Sequence, residues 1–377
     1  MTEKLASVES EYLPDSDRIM AVSFGPQHPG AGHFRLRLWL DGDYLVRAEP
    51  DPGYVHRGEE KMAEYRNYIQ NVPHLERPVI HDSCGILFPY SLAVDELMNN
   101  KVPPRGQYLR VIMAEFNRII SNMYYLGIFG LFTGHTTMIT WCMGDRDFWI
   151  DLASKIGGAR VTFAYIIPGG VRNDMPDWIG DRILTTCDWF EKRMDEYEKI
   201  FFKNPVLLER TEGIGVLTKE DAIRLGATGI VLRASGVKHD VRRDEPYGAY
   251  SDFEFDVPTL NAGDSWSRAY VTLLEMREAV KIIRQATKKM PPGPVRLKLG
   301  PQPRVPAGEV YTRTEAGRGE MSYYLVSDGS PRPYRVKIGT PSFKNMRVLP
   351  HLLRNVHVAD IPLIYWGLNY WPVEADR

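Results

Sequence analysis

Cysteine is scarce in this chain. Cys84, Cys142 and Cys187 are the three thiols among 377 residues, and no two of them stand at C-x-x-C spacing. Thiols so few and scattered exclude a disulfide framework and point to a reducing compartment. They also exclude an iron–sulfur cluster or a four-thiolate metal centre held by this chain alone, since each needs four thiolates or close substitutes. Net charge is nearly absent too. Against 48 Asp and Glu stand 47 Lys and Arg, a formal charge of −1, so nothing directs the chain to nucleic acid or an anionic membrane as its main partner. The stretch from Met1 to Ser16 lacks the apolar h-region of a secretory signal, which predicts a mature protein that stays in the cytoplasm.

One segment has no charge at all, from Arg118 to Asp145, and contains Ile128, Phe129, Leu131 and Phe132. It also holds Asn122, Thr133, His135, Thr136, Thr137 and Thr140, and no second segment resembles it as a partner in a bilayer. A helix buried in a bundle is therefore expected, not a membrane span. Internal repeats, heptads and Gly/Ser linkers are missing, as are the Walker loop, the dinucleotide-binding glycine motif, the nucleophile elbow and the H-E-x-x-H zinc motif.

What is present is ordinary globular material, 44% apolar and 25% charged, enough to bury a large core. Apolar and polar residues alternate in Phe34-Leu36-Leu38-Leu40 and again in Tyr44-Val46 around Asp41-Gly42-Asp43, which predicts a β-hairpin. From Gly58 to about Asn204 the spacing lengthens to helical, broken at Val102-Pro103-Pro104, Gly157-Gly158 and Pro168-Gly169-Gly170. A further helix is expected over Ala262–Lys289, capped by Asp264 or Ser265 and stopped by Pro291-Pro292-Gly293. Beyond Pro294, short strands are expected at Val295–Leu299, Met321–Val326 and Tyr334–Ile338. The pattern is that of a predominantly helical α+β protein with β elements at both ends. Residues 1–52 are expected to form a hairpin region, 53–293 a helical bundle, and 294–377 a small sheet and tail.

Chemistry is concentrated in polar loops stiffened by Gly and Pro: Phe24-Gly25-Pro26-Gln27-His28-Pro29, Gly53 to Gly58, Ile80-His81-Asp82-Ser83-Cys84-Gly85, and Pro168 to Arg172. These loops, in this order, resemble the large-subunit superfamily shared by [NiFe]-hydrogenases and the quinone-site subunit of respiratory complex I. The resemblance continues through Pro103-Pro104-Arg105, Gly158-Ala159-Arg160, Leu232 to Gly236, Phe253 to Pro258, Val326 to Ser330 and the terminal Glu374-Ala375-Asp376-Arg377. It implies a [NiFe]-hydrogenase- or complex I-like helical bundle carrying a substrate cleft that the C-terminal segment closes. Hydrogenases of the superfamily hold nickel and iron with two C-x-x-C pairs. Here the first pair reads Cys84-Gly85-Ile86-Leu87, and Asp360 is followed by no thiol, so no metal is expected on this chain. Complex I members instead place a His, a Tyr and a carboxylate around quinone. His28 survives, while Ile80 stands at the tyrosine and Phe132 at the carboxylate.

One retained cysteine combined with a complex I-like ending resembles the large subunits of archaeal membrane-bound sulfane sulfur reductases. That branch implies reduction of polysulfide or organic polysulfides inside an ion-pumping membrane complex. Electrons would come from a [4Fe-4S] cluster in an adjacent small subunit, with ferredoxin as donor and antiporter-like membrane subunits as partners. Under this reading Cys84, His28 and His81 are the catalytic candidates, and Arg57 and Arg172 lie near the partner's cluster. Complex I relatives usually carry His at the position of Arg172, so a proton-coupled tuning of the cluster is lost with it. Cys142 and Cys187 are expected in the core. The alternatives are quinone or phenazine reduction in a complex I-like assembly, and an inactive scaffold that transmits conformational change to a membrane arm.

Overall fold

The structure, a computed structural model, describes residues 18–28 and 32–377. Pro29 and the stretch from Met1 to Ser16 lie outside the described residues. Three strands open the chain: β1 (Ile19–Phe24), β2 (Arg35–Asp41) and β3 (Tyr44–Asp51), paired antiparallel in sequence order. The expected hairpin is β2–β3, closed by a two-residue turn between Asp41 and Tyr44. Leu36, Leu38 and Leu40 turn inward while Arg37 and Asp41 face solvent, as a period of two requires.

The middle of the chain is helical. Its principal helices are α1 (Ser83–Leu97), α2 (Pro104–Phe132), α3 (Thr136–Gly157), α4 (Ile179–Tyr197) and α5 (Ser265–Lys288). α2 runs through the centre and is buried continuously from Leu109 to Met123, charged residues included. The uncharged segment after Arg118 is two helices, broken at Thr133–His135. Gly130 explains how closely α2 and α3 approach, since a Cβ there would lie 2.6 Å from Met138 Cβ. Among the described residues no helix is long and apolar enough to cross a membrane. The expected helix near residue 262 is α5, and its cap is Asp264, which accepts from Ser267 N at 2.8 Å.

The C-terminal sheet is an antiparallel meander of β4 (Gly308–Ala316), β5 (Gly319–Ser327) and β6 (Arg335–Gly339). β5 and β6 were expected. Val295–Leu299 is not a strand; Gly170 and Arg296 form a single bridge there, in a segment fenced by prolines. β4 was not foreseen. Finally β7 (Val356–His357) pairs with β3 and so adds a C-terminal strand to the N-terminal sheet. One apolar core takes residues from Phe34 to Ala375, drawing on all three segments of the chain.

Candidate active site at the start of helix α1

Helix α1 begins where four distant pieces of chain meet. Asp82 is its cap: one carboxylate oxygen accepts from Gly85 N at 3.2 Å, the other from Gly317 N at 2.6 Å. Residue 85 must be glycine, because a Cβ there would sit 2.5–2.7 Å from the Asp82 carboxylate. Gly317 and Arg318 are the two-residue turn joining β4 to β5, across which Ala316 pairs with Gly319. Buried Arg118, on α2, holds the same turn by donating to Ala316 O at 2.8 Å and Glu315 O at 2.6 Å. The tip of the β4–β5 hairpin is thus driven into the core and presents Arg318, only 2% exposed, beside the start of α1.

Around Arg318 stand aromatic rings and one acid. Its guanidinium lies 5.7 Å from the Trp371 ring. His81 stacks on Tyr124 at 4.1 Å and meets Trp371 edge-on at 5.3 Å. Arg146 donates to His81 Nδ1 at 3.0 Å, which makes that nitrogen an acceptor and leaves the proton on Nε2. Burial, with Arg318 and Arg146 nearby, pushes His81 down to about 3, so its imidazole is neutral. His81 was expected to supply a proton; as an imidazolium it does not. Glu374 is a better acid. Buried, and bonded to the Ser342 hydroxyl, it is pushed up to about 7 by desolvation, with Asp82 adding to the rise and Arg318 opposing it.

Cys84 is the second residue of α1 and is 1% exposed. Its amide donates to Asn117 Oδ1 at 2.8 Å. Burial pushes its thiol well above the ordinary range, and the neighbouring Asp82 and Glu76 charges push the same way, so at neutral pH the sulfur carries its proton. Glu76, 1% exposed, accepts from Ala164 N at 2.8 Å and is raised to about 7, again chiefly by burial. Arg77 and Arg172 both oppose that rise. Arg172 itself donates to Gly157 O. Arg57 is exposed and pairs at 2.8 Å with Glu59, which His74 contacts at 3.1 Å. Both arginines therefore border the segment His74–Arg77, Arg57 through Glu59 and Arg172 through Glu76.

His28 follows β1 in an exposed turn, its ring 4.3 Å from Phe24. A Cβ on Gly32, which bonds back to His28 O, would be 3.9 Å from Pro372, so Gly32 lies beside the Trp371–Glu374 segment. His81 and Cys84 flank Asp82, and the structure adds to them Arg318, Glu374 and Glu76, three groups to which sequence reasoning gave no role. Cys142 and Cys187 are buried in the core as expected. Among the described residues no group of three or more His, Cys, Asp or Glu side chains is placed to hold a metal ion.

Residues 133–302 and 296–377 match the family model of the respiratory-chain NADH dehydrogenase 49 kDa subunit. The chain belongs to this family. Among its relatives, a subunit of the F420H2 dehydrogenase of Methanosarcina mazei is 40% identical over 370 residues, covering 95% of this chain and 98% of that one. NADH-quinone oxidoreductase subunit 4 of Thermus thermophilus is 38% identical over 385 residues, with 95% and 94% covered. Among solved structures, the membrane-bound sulfane sulfur reductase, an archaeal respiratory membrane complex, is similar with a TM-score of 0.92 at 35% identity, covering 97% of this chain and 100% of that one. The fold is accordingly that of a complex I 49 kDa-like large subunit in an oxidoreductase family. Within that 49 kDa-subunit fold, Phe132 stacks flat on Trp366, with ring centres 5.5 Å apart, and Ile80 is 39% exposed.

Proposed function

We propose that this chain is the catalytic large subunit of a membrane-bound, ion-pumping respiratory complex that reduces sulfane sulfur. The observation that supports the reading is the pair Ile80 and Phe132, an exposed aliphatic side chain and a stacked ring, at positions where the resemblance to the quinone-site subunit of complex I implies a hydroxyl and a carboxylate. A quinone carbonyl there would lack its polar contacts. Of the polar groups that remain, Arg318 suits an anion, and Glu374 and Glu76 suit its protonation. Likeness over nearly the whole chain to a sulfane sulfur reductase supports the same assignment.

Cleaving one sulfur–sulfur bond takes two electrons and yields two thiolates, which take up two protons. The electrons come from the cluster of an adjacent iron–sulfur subunit fed by ferredoxin, with Arg57 and Arg172 on the side of that cluster. Glu374 and Glu76, both raised to about 7, supply protons at neutral pH. The neutral thiol of Cys84 borders the site, and His28 closes it from the N-terminal loop. The complex sits at the cytoplasmic face of the membrane with antiporter-like subunits. Quinone or phenazine reduction is the second reading, favoured by the identity of 38–40% to quinone- and F420H2-linked subunits. The intact complex, given reduced ferredoxin and either polysulfide or quinone, decides. Sulfide release supports the proposal, quinol alone supports the second reading, and activity with neither makes the chain a scaffold.

A further inference from the structure

Among the described residues, Arg318 is the one cation at the start of α1 whose donors are not accounted for. Its Nε and Nη1 are buried and find no hydrogen-bond partner among the described residues, and no carboxylate there comes within salt-bridge distance of it. A guanidinium taken out of water without a hydrogen-bonded counter-charge is costly. Glu374 is near enough to attract it, but neither neighbouring acid accepts a hydrogen bond from it. Asp82 is committed to the amides of Gly85 and Gly317, and Glu374 is bonded to Ser342. The turn that carries Arg318 is nevertheless pinned from two sides, by Asp82 and by Arg118. The fold therefore spends contacts on keeping a guanidinium with unpartnered donors in one place, next to Trp371 and the Cys84 end of α1. Arg146, bonded to His81, adds a second cation to the same face.

We propose that Arg318 is the anion-binding residue of this site, its unpartnered guanidinium N–H donors receiving an anionic sulfur species. That class includes inorganic polysulfide, a persulfide and the thiolate released on cleavage. The inference deepens the sulfane sulfur reading and rests on it for the identity of the anion; the existence of the anion site rests on the geometry alone. A delocalised cation with free N–H donors suits a large, polarizable anion, and the Trp371 ring, 5.7 Å from the guanidinium, packs beside it.

The test uses the assembled complex and hydrosulfide as probe, measured by equilibrium dialysis with labelled sulfide. Arg318→Gln should weaken hydrosulfide binding at least tenfold, and Arg318→Lys, which restores charge without the fork, should recover part of that loss. With polysulfide as substrate, the Gln variant should raise KM by a similar factor. Unchanged hydrosulfide affinity in a Gln variant that assembles with a wild-type cluster EPR signal overturns the proposal. If the Gln variant does not assemble, the Lys variant carries the test, and hydrosulfide affinity equal to wild type overturns it. Should the wild-type complex reduce quinone only, while hydrosulfide still binds through Arg318, the proposed reaction falls and the anion site stands. Sulfide release with full hydrosulfide affinity in Arg318→Gln gives the reverse.

Discussion

Replacing Glu374 by Gln isolates the cost of ionising one buried acid. In the folded chain its carboxyl is raised from an ordinary 4.5 to about 7, first by burial and then by Asp82, against the pull of Arg318 and Ser342. Below pH 4.5 the group is protonated folded or unfolded and has no effect on stability. Between 4.5 and 7 the unfolded chain ionises while the folded one resists, so stability falls as pH rises, and above 7 the deficit is constant. A shift of this size corresponds to about 3 kcal/mol in full, of which about 2.5 kcal/mol develops between pH 5 and pH 8. Glutamine can still accept from Ser342 and never ionises. Urea unfolding of the full chain, followed by tryptophan fluorescence, should show Glu374→Gln gaining about that much over wild type on going from pH 5 to pH 8. Glu76 titrates in the same window, so the wild type retains part of its slope after the substitution. The infrared band of a protonated carboxyl should correspondingly lose one component near neutral pH in the variant. Parallel stability curves for the two proteins across this range would refute the argument that Glu374 is held protonated by its surroundings.

Asp82→Ala removes a helix cap and orphans the buried Gly317 amide, so a loss of about 2–4 kcal/mol is expected in urea unfolding, and a loss under 1 kcal/mol would show that the bridge from α1 to the hairpin is dispensable. Iodoacetamide at pH 8 should leave Cys84 unlabelled in the folded chain and label it in urea; rapid native labelling contradicts the burial of a protonated thiol. Because Cys84 carries its proton, Cys84→Ala should keep most of kcat for polysulfide with an altered KM, whereas abolition of sulfide release would assign the sulfur a covalent role. Nitrogen NMR of labelled histidine should find His81 neutral across pH 5–8, and a titration in that range would contradict its place between two arginines. Arg57→Met and Arg172→Met should each lower the midpoint of the partner's cluster in an EPR titration, and two unchanged midpoints would reduce both arginines to local ion-pair partners.

The parts of this fold that sequence reveals are those with a period. β2 and β3 show their alternation in Phe34–Leu40 and Tyr44–Val46, and α5 shows both its cap at Asp264 and its stop at Pro291. β4 is hidden because its nine residues, Gly308–Ala316, include Glu309, Arg313 and Glu315, the last buried by ion pairing with Arg233 instead of by apolarity. The site divides in the same way. Cys84 and His81 lie in a loop dense enough in polar residues to be noticed, whereas Arg318 follows an unremarkable Glu-Ala-Gly and acquires significance only when the hairpin tip enters the core. Glu374 was legible as part of a terminal motif, but its protonation depends on Ser342, Asp82 and Arg318, which no local pattern brings together. Tertiary electrostatics has no sequence period.

The sheet that joins the two ends of the chain also sets an order in time. Its third strand waits for Val356 and His357, and the loop at Gly53 waits for Asp376, a contact 323 residues distant. The start of α1 likewise has no cap partner on the hairpin until Gly317, 235 residues later, has been synthesised. Closure over such spans is entropically slow, and topologies dominated by distant contacts fold late. Arg318 is therefore dehydrated only once the hairpin and the Trp371 segment have both docked. Assembly of this subunit ends where its chemistry begins, so a partner that meets the chain before residue 374 has emerged finds a scaffold without a site.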